Sequence, residues 1–146
     1  MDIMRDFPQF TFVPASQFVW SSSNQSIGYK PAALRTAKGK LALIHEISHA
    51  LLRHTTYQKD LELIKIEVAA WKKAKPLARR YKITLDEKHI EDSLDTYRMW
   101  LYQRSHCPEC ENTALQISSN LYRCFNCNAK WQVPDSQLCR TRRRLL

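Results

Sequence analysis

Leu41-Ala42-Leu43-Ile44-His45-Glu46-Ile47-Ser48-His49-Ala50-Leu51-Leu52-Arg53 carries the pattern H-E-x-x-H inside a window of helical periodicity. Leu41, Ile44, Ser48, Leu51 and Leu52 recur at the spacing of a core-facing stripe. A helix is therefore expected to begin between Thr36 and Leu41 and to run to about Arg53, with Gly39 a poor helix former near its start. Residues four apart share a helix face, so His45 and His49 can grip one metal ion. Glu46 then stands beside the metal as a base for its bound water. Those residue types at that spacing point to zinc-assisted hydrolysis of a peptide bond.

Zinc in a hydrolase takes three protein ligands and keeps one position open. His54 is five residues beyond His49 and about 140° around an ideal helix from it; it points away unless the helix ends early. His89 belongs to a separate element. A carboxylate from a second helix, expected over Lys59–Lys75, is the better candidate, and Glu62 and Glu67 are the two choices. Glu67 shares a stripe with Leu63, Ala70 and Ala74, and the adjoining stripe Leu61, Ile64, Val68 and Trp71 is apolar as well. An inward carboxylate needs a cation, because burying it unpaired is costly. Glu62, sharing its stripe with Gln58, Lys65 and Ala69, reads as solvated. Glu67 is the expected ligand and Glu62 the alternative; an internal salt bridge from Glu67 to Arg98 or Arg53 is the non-metal reading. No oxyanion donor stands out among Tyr97, Arg98, His54 and His89.

Around this centre the chain reads as α+β. Phe10 and Phe12 alternate with polar neighbours in a short strand ending at Pro14, and Phe18-Val19-Trp20 and Ser26-Ile27-Gly28-Tyr29 flank a polar run in the manner of a hairpin turning near Asn24. An edge strand from this segment can pair with an extended peptide substrate. The second helix is expected to break at Pro76, leaving a short turn from Leu77 to Tyr81. Thr84-Leu85-Asp86-Glu87 fits a capping box for a third helix carrying Ile90, Leu94, Tyr97 and Leu101.

His45-Glu46-x-x-His49-Ala50-Leu51-Leu52, followed by Glu67 with Ala69, Ala70 and Trp71, resembles the gluzincin metallopeptidases, and within them the ImmA/IrrE type. The resemblance covers roughly residues 30–80. It implies His45, His49 and Glu67 as ligands of a catalytic zinc, Glu46 as base, and a cytosolic protease of a family that often acts on a regulatory DNA-binding protein such as a repressor. Glu62-Leu63-Ile64-Lys65-Ile66-Glu67-Val68-Ala69-Ala70-Trp71 only approximates the family's E-x-E-A-N-x-F-A string, and a C-terminal cysteine module is not part of the usual family core.

Cys107-Pro108-Glu109-Cys110 and Cys124-Phe125-Asn126-Cys127 are two knuckles whose four thiolates suit a closed tetrahedral structural zinc. Strands are expected at Ala114–Ile117, Leu121–Arg123 and Lys130–Val133, similar to a zinc ribbon that depends on its metal for stability. Cys139 is left over as a free or buried thiol. The resulting division is 1–104 for a minimal metallopeptidase domain, 105–139 for the ribbon and 140–146 for a basic tail.

The formal net charge is +9, with Arg140, Arg142, Arg143 and Arg144 in the last seven residues. That balance suits an anionic partner, including nucleic acid met by the ribbon and the arginine tail, although basic runs also serve merely as solvated tails. Ribbons equally dock proteins or act as structural caps. No apolar run approaches the length needed to cross a bilayer. The N-terminus lacks the basic and apolar blocks of a secretory signal, so a cytoplasmic protein is expected, and in such a protein paired C-x-x-C motifs argue for metal rather than disulfides. Two other readings compete. An SprT-like, DNA-associated protease couples H-E-x-x-H to a C-terminal zinc module but wants a third histidine, and none lies between His54 and His89. A non-enzymatic zinc-ribbon nucleic-acid-binding protein would leave His45, Glu46, His49 and Glu67 together by coincidence.

Overall fold

A computed structural model describes residues 3–137 and 140–146. The chain is α+β: the described residues form three α-helices, α1 (Ala37–Leu51), α2 (Asp60–Arg80) and α3 (Glu87–Ser105), with a three-stranded and a four-stranded sheet. The first sheet contains β1 (Thr11–Pro14), β2 (Val19–Ser21) and β3 (Ser26–Tyr29) in the order β1-β3-β2. The second contains β4 (Leu115–Ser118), β5 (Leu121–Arg123), β6 (Lys130–Gln132) and β7 (Arg144–Leu145) in sequence order. Cys139 lies outside the described residues.

The chain forms two compact units. One takes in residues up to Thr56 together with Ile66–Ile90; the other takes in Tyr57–Lys65 and Glu91 onward. The cuts fall inside α2 and α3, whereas the sequence pattern suggests a division after Arg104.

In the first unit β2 and β3 form the expected hairpin, with Trp20 opposite Ile27. β1 adds to β3 in parallel, so β3 is central and β2 is an edge strand. Ile27 and its neighbour Gly28 are both buried, in keeping with the central place of β3 in the sheet. α1 is buried on almost every side: Leu41, Leu43, Ile44, Ile47 and Ala50 join the core, while Leu52 lies exposed just past the end. Thr36 caps α1 by accepting from the Gly39 N–H at 3.0 Å. Gly39 answers a packing demand, because a Cβ there would lie 1.9 Å from the Ala33 carbonyl oxygen in the 3-10 turn Pro31–Arg35.

Two helix boundaries differ from expectation. α2 does not break at Pro76 but continues to Arg80. Pro76 is exposed, so water can reach the carbonyl its ring frees, and burial of Ala74 and Ala78 holds the helix together on the inner side. α3 begins one residue past Asp86, whose carboxylate accepts from the His89 N–H at 3.0 Å; Asp86, not Thr84, is the cap. The second apolar stripe of α2 is only in part a core face: Trp71 is buried, whereas Leu61 and Val68 are exposed.

In the second unit, Tyr122, Trp131, Val133 and Ala114 pack with Cys107 and Cys124. The arginine tail is not simply solvated: its residues Arg144–Leu145 pair with β6 and complete the sheet. Arg104 and Asp60 form a buried ion pair at 2.6 Å. The Asp60 carboxylate also accepts from Tyr122 Oη at 2.6 Å, and the Trp131 indole N–H donates to the Arg104 carbonyl at 2.9 Å. Tyr122 Oη and the Trp131 indole thus find their partners outside residues 105–139, whereas His106 Nδ1 and Arg123 Nε have none among the described residues.

Candidate metal centres

α1 presents His45 and His49 one turn apart, and α2 brings Glu67 to meet them. All three side chains are buried. His45 Nε2 and His49 Nε2 are 3.0 Å apart; Glu67 Oε2 is 3.1 Å from the first, and Glu67 Oε1 is 3.5 Å from the second. Ligands about 2.0–2.1 Å from a tetrahedral zinc are separated from one another by about 3.3–3.4 Å. The triangle of donor atoms therefore has the size of one face of such a coordination sphere. Glu67, rather than Glu62, belongs to it. Glu62 instead accepts from the backbone N–H groups of Gln58 and Lys59, closing the first turn of α2, and the pair of bonds holds its carboxyl below the usual range.

The two carboxylates of the site have opposite character. Burial pushes the Glu67 carboxyl up, but hydrogen bonds from His45 and His49 outweigh it and hold the group at about 2. Glu46 is raised by burial, against the partial compensation of His45, His49 and the Trp20 N–H. That N–H donates to Glu46 Oε2 at 2.7 Å, fixing one carboxylate oxygen. The Trp20 indole N–H reaches the His54 carbonyl at 2.8 Å, tying edge strand β2 to the end of α1.

His54 is closer to the centre than helical geometry suggests. α1 ends at Leu51, Arg53 adopts a left-handed φ of 54°, and the His54 N–H returns to the His49 carbonyl at 3.1 Å. His54 Nδ1 then lies 2.9 Å from His49 Nδ1. It approaches the side of the His49 ring opposite Nε2, so it supports that ring and stands outside the donor triangle. Burial lowers the His54 pKa, with the neighbouring His49 acting in the same direction. Sequence spacing missed this contact because only the early helix end creates it. The His45 ring is held differently, stacked on Trp71 at 4.0 Å between centroids, and its Nδ1 has no hydrogen-bond partner among the described residues.

Of the other expected helpers, Arg98 is exposed and paired with Glu91 and Asp95. It is not the partner of Glu67.

The second centre gathers Cys107, Cys110, Cys124 and Cys127. Sγ atoms of Cys107 and Cys127, and of Cys110 and Cys124, are each 3.5 Å apart. Four sulfurs about 2.3 Å from a tetrahedral zinc stand about 3.8 Å apart, close to these values. The Asn112 backbone N–H and the Asn126 and Asn112 side chains hold Cys110 down at about 6, which favours the thiolate a metal requires. Both clusters can hold a metal ion, and their donor sets, two nitrogens with a carboxylate and four sulfurs, are of the types zinc accepts. Comparison of the chain with known protein families, curated proteins and solved structures gave no match.

Proposed function

We propose that the chain is a zinc-dependent metallopeptidase of the gluzincin kind, similar to the ImmA/IrrE type, with a second, structural zinc in its cysteine ribbon. One observation carries the reading: three buried donors, His45, His49 and Glu67, converge at tetrahedral spacing, and the Glu46 carboxylate is close enough to interact electrostatically with all three. A zinc held there would acidify a water and polarise the scissile carbonyl. Glu46 takes the proton from the attacking water at Oε1, while Oε2 stays anchored to the Trp20 N–H, and returns it to the departing amine. Its raised proton affinity suits both halves of that transfer. Glu67, held ionised, supplies negative charge to the ligand set.

β2 is an edge strand whose Trp20 N–H is already given to Glu46, so an extended peptide meeting the remaining backbone groups of its outer side would come within reach of Glu46. Backbone pairing of that kind gives affinity with little side-chain selectivity. The substrate class we assign is a cytoplasmic protein presented in extended form, a regulatory or DNA-associated protein being the family's precedent. Among the described residues no helix is long and apolar enough to cross a membrane.

Metal analysis of the purified chain tests the reading. The wild type should carry two zincs and His49→Ala one. Glu46→Gln should keep both and lose cleavage of an unfolded protein substrate. A single zinc in wild type and His49→Ala alike, or full cleavage by Glu46→Gln, would overturn the assignment.

A further inference from the structure

From the outer face of the four-stranded sheet we infer a binding surface for single-stranded nucleic acid, an activity separate from the peptidase reading and independent of it. Along β5 and β6 the central residues Tyr122 and Trp131 are buried. Residues alternate across a strand, so their neighbours Leu121, Arg123, Lys130 and Gln132 face the opposite way. Pairing aligns Leu115 with Arg123 and Arg123 with Lys130 in one row, and Leu121, Gln132 and Arg144 in the next. Because β7 is built from the arginine tail, Arg144 joins the same face as Arg123 and Lys130.

No residue of the four strands is acidic. The face therefore presents three cations with no opposing carboxylate in its strands, and Arg144 is steadied by Gln132 Oε1 at 2.7 Å. At the end of β5 the Phe125 ring is 63% exposed, with the Arg123 guanidinium 5.6 Å from its centroid. Leu115 and Leu146 add exposed apolar surface at the sheet margins.

Cations in rows beside an open aromatic ring match the two needs of a single strand: phosphates to neutralise and base faces to stack. Duplex DNA offers the phosphates but hides its base faces. An acidic protein surface offers charge but few open rings, since aromatic side chains are for the most part buried. The structure favours the single strand on both counts, and the shared chemistry covers DNA and RNA.

Fluorescence anisotropy of labelled oligothymidine and oligouridine with the metal-loaded full chain tests the surface. Both strands, or one of them, should bind, with affinity falling steeply as salt rises. Lys130→Glu with Arg144→Glu should weaken binding by about tenfold or more at low salt. Phe125→Ala should cost about fivefold or more. The control, Lys72→Glu with Lys73→Glu on α2, makes the same change in net charge and should have a far smaller effect. Ribbon metal content checks each fold; if the charge reversals lose metal, Lys130→Gln with Arg144→Gln replaces them. The inference is overturned by any of four results: neither strand binds, the control weakens binding as much as the face variant, Phe125→Ala leaves affinity unchanged, or duplex DNA or polyglutamate competes as well as the single strand.

Discussion

His49 uses both ring nitrogens. Nε2 belongs to the donor triangle with His45 and Glu67, and Nδ1 meets His54. A ligating histidine is oriented by what its second nitrogen touches, and loss of such a partner typically costs 10–100-fold in metal affinity. His54→Ala is therefore expected to weaken metal binding at the histidine centre by about 10–100-fold while leaving the cysteine centre loaded. Titration with a competing chelator reads this directly; equal affinity in wild type and variant would show the contact to be idle. The identities of His45, Glu46 and His49 were legible from spacing alone, because a four-residue interval on a helix leaves little choice. Glu67 was legible from its apolar stripe, which buried it as anticipated. The role of His54 was not, since it depends on Leu52 and Arg53 leaving the helix rather than on any periodicity.

Among the elements, α1 must be packed from nearly all sides and still begin against the turn Pro31–Arg35. Gly39 is the consequence. Alanine is the better helix former by about 1 kcal/mol, yet its methyl would collide with the Ala33 backbone. Overpacking against a rigid backbone costs about 1–3 kcal/mol or more. Gly39→Ala should thus destabilise the fold in denaturant unfolding despite its higher propensity, and a stabilised variant would refute the packing argument. The pattern that marked Gly39 as a poor helix former was correct about propensity and silent about the neighbour. Pro76 makes the same point in reverse: the residue that ends isolated helices sits on the exposed side of α2, where inner burial and outer water allow the helix to go on.

At the scale of the whole molecule, the second unit is organised around a buried charge cluster. Arg104 donates to Asp60, Asn120 and the Pro134 carbonyl, and lies 4.4 Å over the Trp100 ring. Tyr122 completes the shell of Asp60. Breaking one side of such a network leaves a buried charge underpaired. Tyr122→Phe should therefore cost about 1.5–3 kcal/mol near neutral pH, the usual worth of a hydrogen bond to a charged group. Burial and the Asp60 carboxylate raise the Tyr122 pKa above its ordinary value. The folded state therefore holds that proton more tightly than the unfolded chain. The stability it contributes is complete below about pH 10 and is lost as pH rises from there through the folded value. Wild type should accordingly lose stability above pH 10 more steeply than Tyr122→Phe; parallel pH profiles would contradict the assignment.

Local regularities in the sequence determined the α+β class, the H-E-x-x-H helix, the hairpin, the inward glutamate and the four-cysteine module, because each is written in spacings of two, three or four residues. Tertiary structure alone decided that Arg144 and Leu145 become a strand, that Asp60 meets Arg104 and Tyr122 in a buried polar cluster, and that His54 folds back on His49. Those outcomes depend on which groups are left without partners once the helices and strands are packed. A buried carboxylate, an open sheet edge and a free ring nitrogen recruit residues that no sequence period connects.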